Sequence, residues 1–205
     1  MGGTKMIYSK TLGIAYRAIP KCACTSVKWA LNNALDLHLD KHSLHLVLAG
    51  NILAEQGAVT KLNGAAPADL FRFTIVRNPF DRLVSCYTGK VLQRHSGLDS
   101  RMYRLRKFPD FARAVCNCDP AQANPHYRPM VEFLRVEQHF DLIARFENLT
   151  EDWRVIQKHS NIAVELPHTN PSKNRKPYCE YYTPEIRGFV EKYYREDLER
   201  WGYEF

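Results

Sequence analysis

Twice in this chain an apolar, β-rich run ends at a turn and passes within a few positions into a segment of helical period. The first run is Gly13–Ile19, closed by Pro20, after which Val27, Ala30, Leu31, Ala34 and Leu35 recur at the 3.6-residue spacing, with Thr25 or Ser26 placed to cap the first turn. The second lies in "LFRFTIVRNPFDRLVSCYTGKV", where Phe71–Val76 reads as a strand and Phe80, Leu83, Val84 and Tyr87 as a helix face. Asn78 is a good N-cap, Pro79 suits the first helical position, and Asp81 stands at the third as an imperfect capping-box partner. Arg77 then ends the strand, and Arg82 and Ser85 share a helix face. "FDLIARF" repeats the strand pattern and "NLTEDWRVIQKH" the helix after it, while "TPEIRGFVEKYYREDLERW" closes the chain as a helix capped by Thr183, apolar at Ile186, Phe189, Val190 and Tyr193. Such alternation predicts an α/β fold: a mainly parallel central sheet flanked by helices, with ligands bound beyond the strands' carboxyl ends.

With 205 residues, 45% of them hydrophobic, and no linker-like tract, a single domain spanning 1–205 is expected. No apolar stretch reaches the ~20 residues of a membrane span, and no signal-peptide core precedes the first strand. The chain therefore reads as soluble and cytoplasmic, with the Golgi lumen as the alternative for a trimmed catalytic domain. Six cysteines in a chain of this length suggest reduced thiols rather than a disulfide scaffold. A net charge of +7 calls for an anionic partner without naming it. The densest basic run is "RMYRLRK" at 101–107, which reads equally as a solvated face.

The loop between the first strand and helix, "AIPKCACTS", admits a metal site, a redox pair or an anion cradle. Its cysteines, like Cys116 and Cys118, are spaced C-x-C, which fits neither structural zinc nor a thioredoxin-like pair. A loop entering a helix N-terminus offers backbone N–H groups and a positive dipole end to an anion. Here Lys21 adds a full charge, and Thr25 and Ser26 add hydroxyl donors. The lysine stands four residues before the first hydroxyl, unlike the nucleotide P-loop, which argues against a Mg-dependent kinase.

"PKCACTS" and, some fifty residues on, "TIVRNPFDRLVSCY" resemble the paired phosphosulfate and 3′-phosphate signatures of sulfotransferases that use 3′-phosphoadenosine 5′-phosphosulfate (PAPS). They resemble especially those of the carbohydrate group that includes the chondroitin 4-O-sulfotransferase type. "NPHYRP", "FDLIARFENLTED", "LPHTNPS" and the C-terminal segment echo that group in the same order. The resemblance implies a three-layer, P-loop-NTPase-like fold and sulfuryl transfer from PAPS, releasing 3′-phosphoadenosine 5′-phosphate (PAP), with no metal required. It also implies that Lys21, Cys22, Ala23, Cys24, Thr25 and Ser26 hold the phosphosulfate, and that Arg77 and Ser85 hold the 3′-phosphate. Where this chain has Asn78 the family often has Asp; both cap helices well.

The acceptor hydroxyl needs a general base, and histidine titrates in the useful range. The candidates are His45 and His126, then His42, with Glu55 or Glu147 as carboxylate alternatives. Lys173, Arg175 and Lys176 form a late basic loop suited to the nucleotide or to an anionic acceptor, and Arg101, Arg104, Arg106 and Lys107 would suit an acidic polysaccharide. A carbohydrate or other hydroxyl-bearing acceptor is expected. The other readings are a P-loop-like nucleotide kinase and a non-catalytic polyanion binder; no nucleic-acid-binding signature is present, so no nucleic-acid partner is expected.

Overall fold

The computed structural model describes residues 6–40, 60–62, 69–135, 139–167 and 175–205. They form two compact units, one from Met1–Val76 and Phe133–Thr169, the other from Arg77–Glu132 and Asn170–Phe205.

The first unit is built on a five-stranded sheet: β1 (Met6–Ser9), β2 (Ile14–Arg17), β3 (Thr60–Leu62), β4 (Phe71–Val76) and β5 (Leu142–Arg145), in the order β3-β1-β2-β4-β5. β2 pairs parallel with β4, and β4 with β5, while β1 runs antiparallel to both β2 and β3. Four strands thus point the same way and only β1 is reversed, as a mainly parallel sheet requires. β1, like β3, is a strand that periodicity does not reveal. It joins β2 through a tight turn in which the Gly13 N–H donates to the Lys10 carbonyl at 3.1 Å; Gly13 takes φ +69°, which glycine adopts without strain. All of β2 and the last four residues of β4 are buried, the continuous burial of strands covered on both faces. Tyr16 of β2 stacks on Phe73 of β4 with ring centroids 4.8 Å apart. Helices α1 (Cys24–Ala34) and α5 (Leu149–Lys158) flank the sheet. α5 buries Trp153 and Ile156, and its Asp152 carboxylate accepts the Arg145 N–H at 2.6 Å, fixing the exit from β5.

The second unit is helical. α2 (Pro79–Cys86) runs into a π-helical turn at Tyr87–Leu92, and α3 (Phe108–Cys116), α6 (Pro184–Tyr193) and α7 (Arg195–Trp201) complete it, with the short α4 (Val131–Leu134) beginning at its edge. Its core joins Phe80, Leu83 and Val84 to Phe111, Val115, Ile186 and Val190. The Asn78 side chain accepts the Phe80 N–H at 3.0 Å with Pro79 at the first position, and Thr183 accepts from Ile186 at 3.3 Å, so both expected caps form. Asn78 also donates to the Glu204 carbonyl at 2.8 Å, which an aspartate there could not do.

The closing segment is two helices rather than one, broken at Tyr194, whose buried hydroxyl donates to the Tyr127 carbonyl at 2.5 Å. Ile186 and Val190 are buried as expected, but Phe189 is 45% exposed, so the apolar stripe is narrower than the spacing suggested. No described helix is long and apolar enough to cross a membrane.

Candidate active site

β2 ends at Arg17, two residues before Ile19, and α1 begins at Cys24. The turn between them holds Lys21 at φ 69° and Ala23 at φ 54°, both left-handed, with Cys22 between them outside that region. Each such non-glycine residue costs on the order of 1 kcal/mol. Backbone that alternates sign in this way is found in anion nests, though here the Cys22 N–H donates to the Ile19 carbonyl at 3.2 Å. Ala23 is the N-cap of α1 and supplies no side-chain cap; the ladder opens with the Val27 N–H donating to the Ala23 carbonyl at 3.1 Å. The expectation that Thr25 or Ser26 caps the helix is therefore corrected. The helix starts earlier, and both hydroxyls lie inside its first turn, at the dipole's positive end. Cys22 is fully buried and Ser26 nearly so, whereas Lys21, Ala23, Cys24 and Thr25 are partly exposed. The Tyr16 hydroxyl is buried without a hydrogen-bond partner among the described residues, and that burial pushes its pKa well up, with Cys24 and Cys22 adding to the rise.

In the second unit Arg77 lies just past the strand, which ends at Val76, and is 6% exposed. Its Nε and one terminal nitrogen reach the same Asp81 oxygen, at 2.8 and 2.7 Å. Arg175 bonds the other Asp81 oxygen and also the Asp81 carbonyl, the latter at 3.2 Å. Asp81 is thus not a capping-box partner but a strut between two guanidinium groups. Both guanidinium groups stand beside the N-terminus of α2. Ser85 is buried in the same helix. Arg82, three residues before it, is 1% exposed and donates to the carbonyls of Arg128 at 2.7 Å and Pro125 at 3.2 Å, so its role is to hold the 124–128 turn.

Of the base candidates, His126 is half-buried on that turn, and its Nδ1 lies 2.9 Å from Asn124 Oδ1. Glu147 is exposed in a single 3₁₀ turn before α5. His42, His45, Glu55 and Lys173 lie outside the described residues. In the basic run Arg101 pairs with Asp99 and Arg106 donates to the Val91 carbonyl, with Arg101, Arg104, Arg106 and Lys107 all exposed. All six cysteines are free thiols, and no group of three metal-ligating side chains occurs among the described residues. Sequence reasoning passed over Asp81 as a strut and Asn124 as the partner of His126. The i,i+4 spacing of Arg77 and Asp81 was a readable signal; the Arg175 contact, 94 residues away, was not.

A mainly parallel α/β sheet with an irregular loop between β2 and α1 is the setting in which folds of this class bind ligands. The sulfotransferase family model matches residues 4–204, and the chain belongs to that family, whose fold is of the P-loop-like class. Over 161 residues it is 27% identical to carbohydrate sulfotransferase 14 of Mus musculus and 26% identical to carbohydrate sulfotransferase 14 of Homo sapiens. Each match covers 67% of this chain and 41% of the relative, so the chain corresponds to about two fifths of those proteins. No solved structure matches it.

Proposed function

We propose that this chain is a PAPS-dependent sulfotransferase that acts on a hydroxyl, most naturally one on a carbohydrate, as the names of its relatives suggest. The observation that carries the reading is the loop Lys21–Ser26, which spends two left-handed non-glycine residues to aim backbone at the start of α1. Strain of that kind persists where a ligand site needs the geometry. PAPS, when bound, supplies an activated sulfuryl group on a phosphate. Lys21 to Ser26 are assigned the phosphosulfate, with the first-turn hydroxyls on its terminal oxygens. Arg77 and Ser85 are assigned the 3′-phosphate, with Arg175 and Lys173 as further cationic contacts to the nucleotide.

Sulfuryl transfer resembles phosphoryl transfer in that positioning and electrostatics carry most of the rate. As the acceptor oxygen bonds to sulfur and the bond to the leaving phosphate breaks, negative charge grows on the bridging oxygen. Lys21 is assigned the role of stabilising it. The acceptor's proton goes to a base, for which His45 and His126 are the candidates.

The test is transfer of radiolabelled sulfuryl from PAPS to desulfated chondroitin. Label should appear in the polymer with the wild type and fall by at least about a hundredfold in Lys21→Ala. No consumption of PAPS by the wild type, with this or any other polysaccharide, would contradict the proposal.

A further inference from the structure

We propose that Asp81 is the positioning residue of the 3′-phosphate subsite, an inference that rests on the sulfotransferase reading above. Its carboxylate holds the Arg77 and Arg175 side chains together on the face of α2 that carries Ser85, and so sets the preference for a nucleotide bearing a 3′-phosphate. One carboxylate oxygen accepts from both Arg77 Nε, at 2.8 Å, and an Arg77 terminal nitrogen, at 2.7 Å, which limits rotation of that guanidinium as well as its position. The other oxygen accepts from Arg175, which comes from 94 residues away and reaches the Asp81 carbonyl as well, at 3.2 Å. Asp81 is the residue the two arginines share. Ser85 stands at i+4 from Asp81, one turn along the same face of α2, and is nearly buried.

Arg175 carries a donor that the described residues leave unused. Its side chain is 12% exposed, and its Nε is buried with no hydrogen-bond partner among them. A buried guanidinium donor without an acceptor is costly, and a bound phosphate oxygen would supply the acceptor. The supports on both sides of Asp81 are firm. Asn78 caps the helix start, and Phe80 sits in the core of the helical unit. The segment that carries Arg175 is anchored to the same turn: Tyr182 donates to the Phe80 carbonyl at 2.9 Å and sets its ring edge-on to Phe80, with centroids 5.4 Å apart. Without the carboxylate, two long side chains would disperse over many rotamers, and binding would have to order them again. A carboxylate also repels a phosphate, so Asp81 helps the subsite only if the order it imposes outweighs that repulsion. The opposition gives the test its sign.

The test is titration calorimetry of PAP and adenosine 5′-phosphate against wild type, Asp81→Asn and Asp81→Glu. The arginine Nε–Hε signals of ¹⁵N-labelled protein are followed in parallel, assigned by their loss in Arg77→Lys and Arg175→Lys. Asp81→Asn keeps the shape of the side chain and removes its charge. It should raise the Kd for PAP about tenfold, although a negative charge has gone, and leave adenosine 5′-phosphate within about twofold, which also shows the variant to be folded. Asp81→Glu, which restores the charge, should bring the preference for PAP back to within about threefold of the wild type. The Arg77 and Arg175 signals should exchange with water faster and lose order in Asp81→Asn. PAP bound as tightly or more tightly by Asp81→Asn overturns the inference, because charge then outweighs position. Arginine signals that Asp81→Asn leaves unchanged overturn it too, as does an equal loss of affinity for both nucleotides. Failure of the wild type to bind PAP overturns the sulfotransferase reading and this inference with it, whereas wild-type binding that Asp81→Asn does not weaken overturns this inference alone.

Discussion

Asp197 is fully buried in α7, and its two oxygens accept the backbone N–H groups of Met130 at 2.8 Å and Val131 at 2.9 Å. Burial raises its carboxyl from 3.8 to about 6; the two N–H bonds and nearby Arg82 oppose that rise without cancelling it. At ~1.4 kcal/mol per unit, the shift corresponds to about 3 kcal/mol. Between these two values the folded chain holds more protons than the unfolded one, so the contribution is full below about pH 4 and is lost as pH rises through about 6.

Urea unfolding of the wild type and Asp197→Asn at a series of pH values isolates this group. The asparagine can still accept one N–H, and the second bond is lost at every pH, so it adds only a constant offset. The stability of the wild type relative to the variant should therefore fall by about 2 kcal/mol from about pH 4 to about pH 7. A difference that is flat, or that grows with pH, would show that the N–H bonds and Arg82 outweigh burial, and would refute the reasoning.

Two buried tyrosines should respond oppositely to loss of their hydroxyls. Tyr194→Phe strands the Tyr127 carbonyl and should cost about 1–3 kcal/mol, whereas Tyr16→Phe removes a hydroxyl with no partner among the described residues and should be neutral or stabilising; equal losses in urea unfolding would contradict this. Asn78→Asp keeps the helix cap but sets a carboxylate against the Glu204 carbonyl, so it should lower stability by about 1–2 kcal/mol at neutral pH, and a thermal midpoint at or above the wild type would count against that contact.

What the sequence disclosed was whatever depends on neighbours along the chain. Phe71–Val76 alternates little because it is buried on both faces, and Asn78-Pro79 and Thr183-Pro184 are local cap chemistry, so all three were legible. β1 escaped notice because four residues carry too little pattern, and its place is set by a turn at Gly13. The start of α1 was misjudged because the left-handed positions are Lys21 and Ala23, residues that give no sign of that conformation. Arg82 was grouped with Ser85 from helical spacing, yet its partners are carbonyls more than forty residues away. The break at Tyr194 likewise leaves no mark in the periodicity of the closing segment.

The most direct test of the central claim is titration calorimetry of PAP against wild type, Lys21→Ala and Arg77→Ala, with adenosine 5′-phosphate and ATP with Mg²⁺ as comparison ligands. The account predicts that the wild type prefers PAP to both, that Lys21→Ala weakens PAP and adenosine 5′-phosphate together, and that Arg77→Ala raises the Kd for PAP by about thirtyfold or more, about 2 kcal/mol, while leaving adenosine 5′-phosphate nearly unchanged. No binding of PAP to the wild type at millimolar concentration, or tighter binding of ATP with Mg²⁺, would contradict it.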